Sequence, residues 1–230
     1  LQDYAAYSAA WANQKKGEFA KAAEWYRVVI DKFPQSLLAS SSRVKVGEGY
    51  YYAKDYPRAI EELTTAKANI DSAALRGEAD YLIGESLYNL GQYEKAQKQY
   101  ESFLKGYPQH HLTKEVQYAL GWTLFKERQF AQAAEVFGGI GSEEDQLGQA
   151  AQYRKGVAEK LAGNRESALQ TFSKLSTWDP RGEYADNALY DAGTILFEDK
   201  KTNEAKDYFG RIVAGFGGSD VIADAYMMLG

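Results

Sequence analysis

Residues 81–108 read YLIGESLYNLGQYEKAQKQYESFLKGYP, and this stretch decides the fold. Its first apolar side chains recur at the spacing of one face of an amphipathic helix, at Ile83, Leu87 and Leu90. A turn at Gly91 then interrupts the pattern, and a second helical segment follows until Gly106 ends it, two residues before a proline. The stretch therefore predicts a helix near residues 76–90, called helix A, and a helix near residues 93–105, called helix B.

The same pattern recurs six times along the chain. Each unit has a small residue in helix A and, twelve residues later, an alanine in helix B. The small residues are Ala10, Gly47, Gly84, Gly121, Gly156 and Gly193, and the alanines are Ala22, Ala59, Ala96, Ala133, Ala168 and Ala205. A large apolar residue follows each alanine by four positions, at Tyr26, Leu63, Tyr100, Phe137, Phe172 and Phe209. Because the interval between the two small residues never changes, we interpret it as the close approach of two antiparallel helices across a tight turn.

Successive alanines lie 37, 37, 37, 35 and 37 residues apart, which divides the chain into repeats. The six units span about 3–39, 40–76, 77–113, 114–148, 149–185 and 186–222, and residues 223–230 repeat the start of another helix A. We therefore expect a single repeat domain, residues 1–230, that is a fragment of a longer chain. The shorter fourth unit predicts a local change of twist near residues 138–147.

Composition argues against several classes of function. The 230 residues carry 27 Lys and Arg against 32 Asp and Glu, and a net charge of −5 argues against a nucleic-acid binder, because phosphates must be met by clustered positive charge. The absence of cysteine removes disulfides, thiolate metal sites and cysteine nucleophiles. The two histidines, His110 and His111, are adjacent in an expected loop and poorly placed to bind one metal ion. No enzyme activity, cofactor or metal is expected, and no apolar run is long enough to insert into a membrane.

The spacing of small and large residues resembles the tetratricopeptide repeat, whose pattern is G-x2-Y, A-x3-F and P with a usual period of about 34 residues. Tyr50 follows Gly47 as the first half of that pattern requires. A proline follows three of the alanines by twelve residues, at Pro34, Pro108 and Pro180. The resemblance implies an all-α fold, a right-handed α-solenoid in which helix pairs stack and the A helices line a concave groove. It also implies a non-catalytic scaffold for protein–protein interaction.

The long period departs from the usual repeat and carries a narrower resemblance. Several units share a short phrase after helix B, as in Phe33-Pro34-Gln35-Ser36 and Tyr107-Pro108-Gln109-His110. Repeats of this style resemble bacterial outer-membrane assembly lipoproteins and Tol–Pal-associated periplasmic proteins. This resemblance implies a role in cell-envelope assembly and favours the periplasm over the cytoplasm, although the lipid-anchoring cysteine is absent from this sequence.

The resemblance assigns the groove side of each helix A to the positions three before, one after and four after the small residue. The candidates for partner binding are Tyr7, Trp11, Tyr51, Tyr81, Glu85, Tyr88, Tyr118, Trp122, Phe125, Tyr153, Tyr190 and Phe197. One interpretation is an aromatic ladder that binds an extended peptide or a helix, since tyrosine and tryptophan supply rigid contact area. Another is that the tyrosines pack against the neighbouring repeat and their hydroxyls cap backbone groups.

Acidic residues are interspersed on the same helices, at Glu48, Glu78, Glu85 and Glu115, so such a groove would prefer a basic or amphipathic partner. The tetratricopeptide subclass that clamps a terminal carboxylate needs Lys and Asn where Glu85 and Trp122 stand, and is disfavoured. Two other functions remain open: an architectural spacer or self-association module with an empty groove, and a groove that binds glycan, such as peptidoglycan, by stacking sugars on aromatic rings. The sequence leaves the protein or peptide partner unidentified.

Overall fold

The computed structural model describes residues 1–141, 146–178 and 182–230, and this part of the chain contains thirteen α-helices and no strand. The helices are α1 (Gln2–Lys15), α2 (Phe19–Lys32), α3 (Ala39–Tyr52), α4 (Tyr56–Lys67), α5 (Ala73–Asn89), α6 (Tyr93–Gly106), α7 (Thr113–Lys126), α8 (Phe130–Gly139), α9 (Gln146–Leu161), α10 (Arg165–Trp178), α11 (Ala185–Glu198), α12 (Thr202–Gly215) and α13 (Ile222–Leu229). From α1 to α12, odd-numbered helices are A helices and even-numbered helices are B helices. The predicted all-α architecture of repeated helix pairs is confirmed.

Each helix A is joined to its helix B by a turn of three residues, and all six turns share one backbone conformation. The middle residue of each turn has a positive φ, between 62° and 85°. These residues are Gly17, Lys54, Gly91, Arg128, Gly163 and Lys200. A left-handed residue at this point reverses the chain within three residues, so the two helices of each pair run antiparallel.

The glycine of helix A lies against the large apolar side chain of its helix B. A Cβ atom on Gly156 would lie 2.6 Å from the ring of Phe172, and the ring of Tyr100 closes off Gly84 in the same way. The same contact joins Gly47 to Leu63 and Gly193 to Phe209. The glycine of helix A is thus required by the large side chain that stands four positions after the alanine of helix B. This contact explains the fixed interval of twelve residues more specifically than the close approach of two small residues that the sequence suggests.

The described helices form two units, residues 1–123 and 124–230. Within each unit, helices pack mainly against their neighbours in sequence, as α1 packs on α2 and α2 on α3 in the first, or α11 on α12 in the second. The buried side chains form a series of small clusters along these contacts. One cluster in the first unit contains Ala10, Ala22, Ala23, Tyr26 and Val46, and another contains Val44, Ala59, Leu63, Ala66, Ile70, Ala79 and Ile83.

The fourth unit has the shortest helix B among the described helices. Helix α8 has 10 residues, whereas the other B helices have 12 or 14. The segment 138–147, where the sequence predicts a change of twist, includes residues 142–145, which lie outside the described residues. Of the helices in the described part of the chain, none combines the length and the hydrophobicity needed to cross a membrane.

Candidate partner-binding face

The twelve candidate residues lie at positions spaced three and four residues apart on the A helices, which places those of one helix on one side of it. We call this side the A-helix face. Trp11 and Phe197 are the most accessible candidates, with 54% and 45% of their surface exposed. The other ten are half-buried, namely Tyr7, Tyr51, Tyr81, Glu85, Tyr88, Tyr118, Trp122, Phe125, Tyr153 and Tyr190. Every candidate therefore keeps some surface for a ligand.

Within residues 1–123, tyrosine hydroxyls on this face form hydrogen bonds to the next repeat. The Tyr7 hydroxyl lies 3.3 Å from Ser41 Oγ, and the Tyr51 hydroxyl donates to Glu85 at 3.5 Å. In both pairs the partner lies 34 residues further along the chain, so the bond joins one helix A to the next. The partners are side chains and not the backbone groups that the second sequence interpretation expects. These bonds fix the orientation of the rings while leaving the rings half-exposed.

Glu48 shows how a carboxylate on this face is normally satisfied. It forms an ion pair with Lys45 on its own helix and accepts a hydrogen bond of 3.1 Å from the side-chain amide of Gln14 in the preceding repeat. The buried Tyr26 in turn donates to the Gln14 oxygen at 3.0 Å. The negative charge of Glu48 is therefore compensated within the protein.

Within residues 124–230, Asp191 is another carboxylate whose charge is compensated by a lysine. It accepts a hydrogen bond of 2.9 Å from the Tyr153 hydroxyl and forms an ion pair of 3.0 Å with Lys160. Burial, and after it the charge of Asp191, raises the pKa of the Tyr153 phenol. The Tyr153 ring also stacks on Tyr184, with 5.4 Å between the ring centroids. This tyrosine is consequently held from two sides.

Glu85 has different surroundings. Its carboxylate accepts a short hydrogen bond of 2.6 Å from the buried Tyr100 hydroxyl and the longer one from Tyr51. Burial raises the pKa of the Glu85 carboxyl, although the hydrogen bonds from Tyr100 and Tyr51 act in the opposite direction. Among the described residues, no lysine, arginine or histidine forms an ion pair with Glu85. Of the other acidic residues noted in the sequence, Glu78 is half-buried and Glu115 is exposed.

His110 has a structural role that the sequence did not reveal. Its Nδ1 accepts from the backbone N–H of Leu112 at 3.2 Å, which leaves Nε2 to donate to the carbonyl oxygen of Ala74 at 2.9 Å. The ring lies against Gly77, so His110 fastens the loop before α7 to the start of α5. The repeat could have indicated this role, because equivalent positions in other repeats also accept a hydrogen bond from the backbone N–H two residues later. Ser36 accepts from Leu38, and Ser219 accepts from Val221. The described residues contain no group of three side chains that could hold a metal ion.

Repeated pairs of antiparallel helices joined by three-residue turns define the class of helical-repeat proteins. More particularly, residues 4–36, 78–110 and 187–219 match a family model described as the tetratricopeptide repeat. These three segments of the chain are therefore similar to the tetratricopeptide repeat. The three matches begin at equivalent positions of the first, third and sixth units, so they agree in phase with the period found in the sequence.

Several solved structures have the same fold. YrrB, described as a tetratricopeptide-repeat protein with an unusual peptide-binding site, is 18% identical, with a TM-score of 0.66 over 89% of this chain and 99% of its own. A tetratricopeptide-repeat protein from Parabacteroides merdae is 17% identical, with a TM-score of 0.63 over 100% of this chain and 99% of its own. MamA from Desulfovibrio magneticus RS-1 is 19% identical, with a TM-score of 0.62 over 79% and 97%. At such identities the likeness shows the fold alone. No curated protein matches the chain.

Proposed function

We propose that the chain is a non-catalytic protein-interaction scaffold whose A-helix face binds an extended segment of a partner protein. Trp11 carries the proposal, because it lies on the A-helix face of α1 and exposes 54% of a large apolar side chain to water. Tryptophan and tyrosine dominate the binding energy of protein interfaces. The tetratricopeptide repeats of the chain and the peptide-binding site reported for YrrB support the same function.

The tyrosines of the first unit are prepared for binding by their hydrogen bonds. Tyr7 and Tyr51 are already oriented by Ser41 and Glu85, so a partner that contacts their rings immobilises few side-chain rotamers. A tyrosine also has few rotatable bonds for its contact area. The A-helix face therefore offers apolar area at low entropic cost.

Two exposed tryptophans of the first repeat allow a matched test. Trp11 lies on helix A, whereas Trp25 lies on helix B and exposes 44% of its surface. Random dodecamer peptides would be selected by phage display on the wild-type chain, and the affinities of the selected peptides measured by calorimetry. We expect Trp11→Ala to weaken binding by about tenfold or more, which corresponds to about 1.4 kcal/mol. Trp25→Ala should leave the affinity unchanged.

Equal losses for Trp11→Ala and Trp25→Ala, or no loss for either, would contradict binding at the A-helix face. Failure to select any peptide would favour the architectural spacer or self-association module. Sedimentation velocity would detect self-association of the chain. Calorimetry with soluble peptidoglycan fragments forms a third arm. If these fragments bind the wild type but not Trp11→Ala, and no peptide binds, glycan is favoured as the ligand.

The cell-envelope role and the periplasmic location are part of the proposal and depend on the long repeat period. Fractionation of the native host, followed by immunodetection of this chain, tests them. Recovery with periplasmic or envelope markers would agree with the proposal, and recovery with cytosolic markers would contradict it. Neither result bears on the peptide-binding face itself.

A further inference from the structure

The carboxylates of the A-helix face differ in one respect, which is whether the protein supplies a cation. Glu48 has Lys45, and Asp191 has Lys160. Glu85 is half-buried, and the hydrogen bonds that its carboxylate accepts within the described residues come from two uncharged phenols. A carboxylate that is partly removed from water is costly unless a positive charge compensates it. Glu85 is therefore a negative charge for which the described part of the chain provides no counter-ion.

Aromatic rings surround this charge. Tyr81 precedes Glu85 by four residues on α5 and Tyr88 follows it by three, so both lie beside it on the same side of the helix. Tyr51 approaches from α3. Burial raises the pKa of the Tyr81 and Tyr88 phenols and raises that of Tyr51 to about 12. The Glu85 charge adds to the rise in all three, following Tyr93 in the case of Tyr88, so all three rings lie within its field.

A carboxylate beside several aromatic rings has the chemistry of a cation-binding site. The faces of aromatic rings attract ammonium and guanidinium groups, and the attraction increases when water is displaced. Within the described residues, the Glu85 oxygen that faces Tyr51 accepts a single long hydrogen bond of 3.5 Å, so it retains capacity for a stronger donor. The site thus combines direct charge pairing with ring contacts, and both favour the same ligand.

We propose that Tyr51, Tyr81, Glu85 and Tyr88 form a specificity site for a cationic side chain, arginine or lysine, of the bound partner segment. This inference rests on the proposed function, because it identifies the chemistry of the segment that the A-helix face binds. Arginine has the better match, since its planar guanidinium stacks on rings and pairs with a carboxylate at the same time. The binding segment is therefore basic at the position that meets α5.

The site can be tested with small probes before any partner is known. The chain would be prepared with 13C-labelled tyrosine rings and titrated with the N-acetyl methylamides of arginine, lysine and citrulline, and ring signals followed by NMR. Citrulline has nearly the shape of arginine without its charge. We expect the signals of Tyr51, Tyr81 and Tyr88 to move with arginine or lysine but not with citrulline. Glu85→Gln should weaken that binding by about tenfold or more.

Glu48→Gln is the matched control, because it removes a carboxylate of the same face that already has a lysine. We expect it to change the affinity for the probe by less than about twofold. Tyr88→Leu provides a second variant that keeps the charge and removes one ring, and should also weaken binding. Ring signals that ignore both cations, or that respond equally in the wild type and in Glu85→Gln, would overturn the proposal.

The outcomes also separate this inference from the proposed function. The selected peptides could require Trp11 for binding, contain no basic residue and bind the Glu85→Gln variant with unchanged affinity. That result would support the peptide-binding face and refute the cation site. A probe that binds through Glu85 in a chain that selects no peptide would support the cation site and refute the peptide-binding function.

Discussion

At the scale of the single residue, the six turns between helices A and B impose one backbone conformation on different side chains. Three turns have glycine at the left-handed position and three have a basic residue: Gly17, Gly91 and Gly163, and Lys54, Arg128 and Lys200. Only glycine adopts that conformation without a steric cost, which for other residues is about 1–2 kcal/mol. The basic turns therefore reduce stability relative to the glycine turns.

Exchanging these residues should change stability in opposite directions. Lys54→Gly should raise the free energy of unfolding by about 0.5 kcal/mol, because relief of the left-handed strain exceeds the extra entropy of glycine in the unfolded chain. Gly91→Lys should lower it by about 1 kcal/mol. Urea denaturation followed by circular dichroism measures both. A loss of stability in Lys54→Gly would mean that the lysine side chain itself holds the turn.

Ser42 is a second residue at odds with its position. It is fully buried in α3, and its hydroxyl has no hydrogen-bond partner within the described residues. The equivalent positions carry aliphatic side chains in the other units, as in Ala79 and Val116. Ser42→Ala should therefore stabilise the chain by about 1 kcal/mol, because a buried hydroxyl without a partner costs its desolvation energy. Thermal unfolding tests this, with Ser41→Ala as the comparison: the Ser41 hydroxyl has a partner in the Tyr7 hydroxyl, so this change should give no gain.

Glu85 makes stability depend on pH. Because its pKa is raised in the folded state, the folded chain binds more protons than the unfolded chain between the two pKa values, so the Glu85 contribution to stability falls as pH rises through that window. Above the folded pKa the cost is constant. Glu85→Gln should then melt at a higher temperature than the wild type at pH 7, and the difference should shrink towards pH 4. A difference independent of pH would contradict this assignment.

At the scale of the helix pair, the contact between glycine and the facing ring decides how closely A and B can pack. Gly84→Ala would place a Cβ against the ring of Tyr100, and overpacking of this kind costs about 1–3 kcal/mol. Gly106→Ala is the matched control, since nothing lies within 4 Å of the added atom at the end of α6. There the same change should stabilise by about 0.5 kcal/mol through helix propensity. Denaturant unfolding of the two variants should show opposite signs.

The elements were predictable from the sequence because they depend on local spacing. The period of small residues identified the helix pairs and the turn at Gly91, since these follow from contacts within one repeat. The role of His110 was not predictable from its neighbours, because its partner Ala74 lies 36 residues away. For the same reason, the sequence placed Glu85 on the groove side but could not show which carboxylates have a lysine. The candidate set for partner binding stays a prediction.

At the scale of the whole molecule, contacts between sequence neighbours imply that damage stays local. Gly193→Val would force α11 away from Phe209 on α12, where an added Cβ already lies 2.8 Å from the ring. Because each repeat of such a stack contacts only its neighbours, we expect faster amide exchange in α11 and α12 and unchanged exchange in α1 to α4. Hydrogen exchange with mass spectrometry measures this. Uniform acceleration along the chain would indicate one cooperative unit instead.

The hydrogen bonds between successive A helices also limit how such a chain can evolve by gaining or losing repeats. Within residues 1–123, the hydrogen-bond donor stands four residues after the small residue of its repeat. The acceptor stands one residue after the small residue of the next repeat, as in the pair Gln14 and Glu48. Loss of one 37-residue unit, residues 40–76, would bring Gln14 opposite Glu85, and an amide would again face a carboxylate.

Loss of the following unit, residues 77–113, would have a different result. Tyr51 would then meet Trp122, whose ring offers the phenol no carboxylate. We therefore expect recombination between repeats to be tolerated at some junctions and to cost stability at others, although the backbone period is the same at both. On this argument we expect the repeats to behave as ordered neighbours with complementary edges, and not as interchangeable copies.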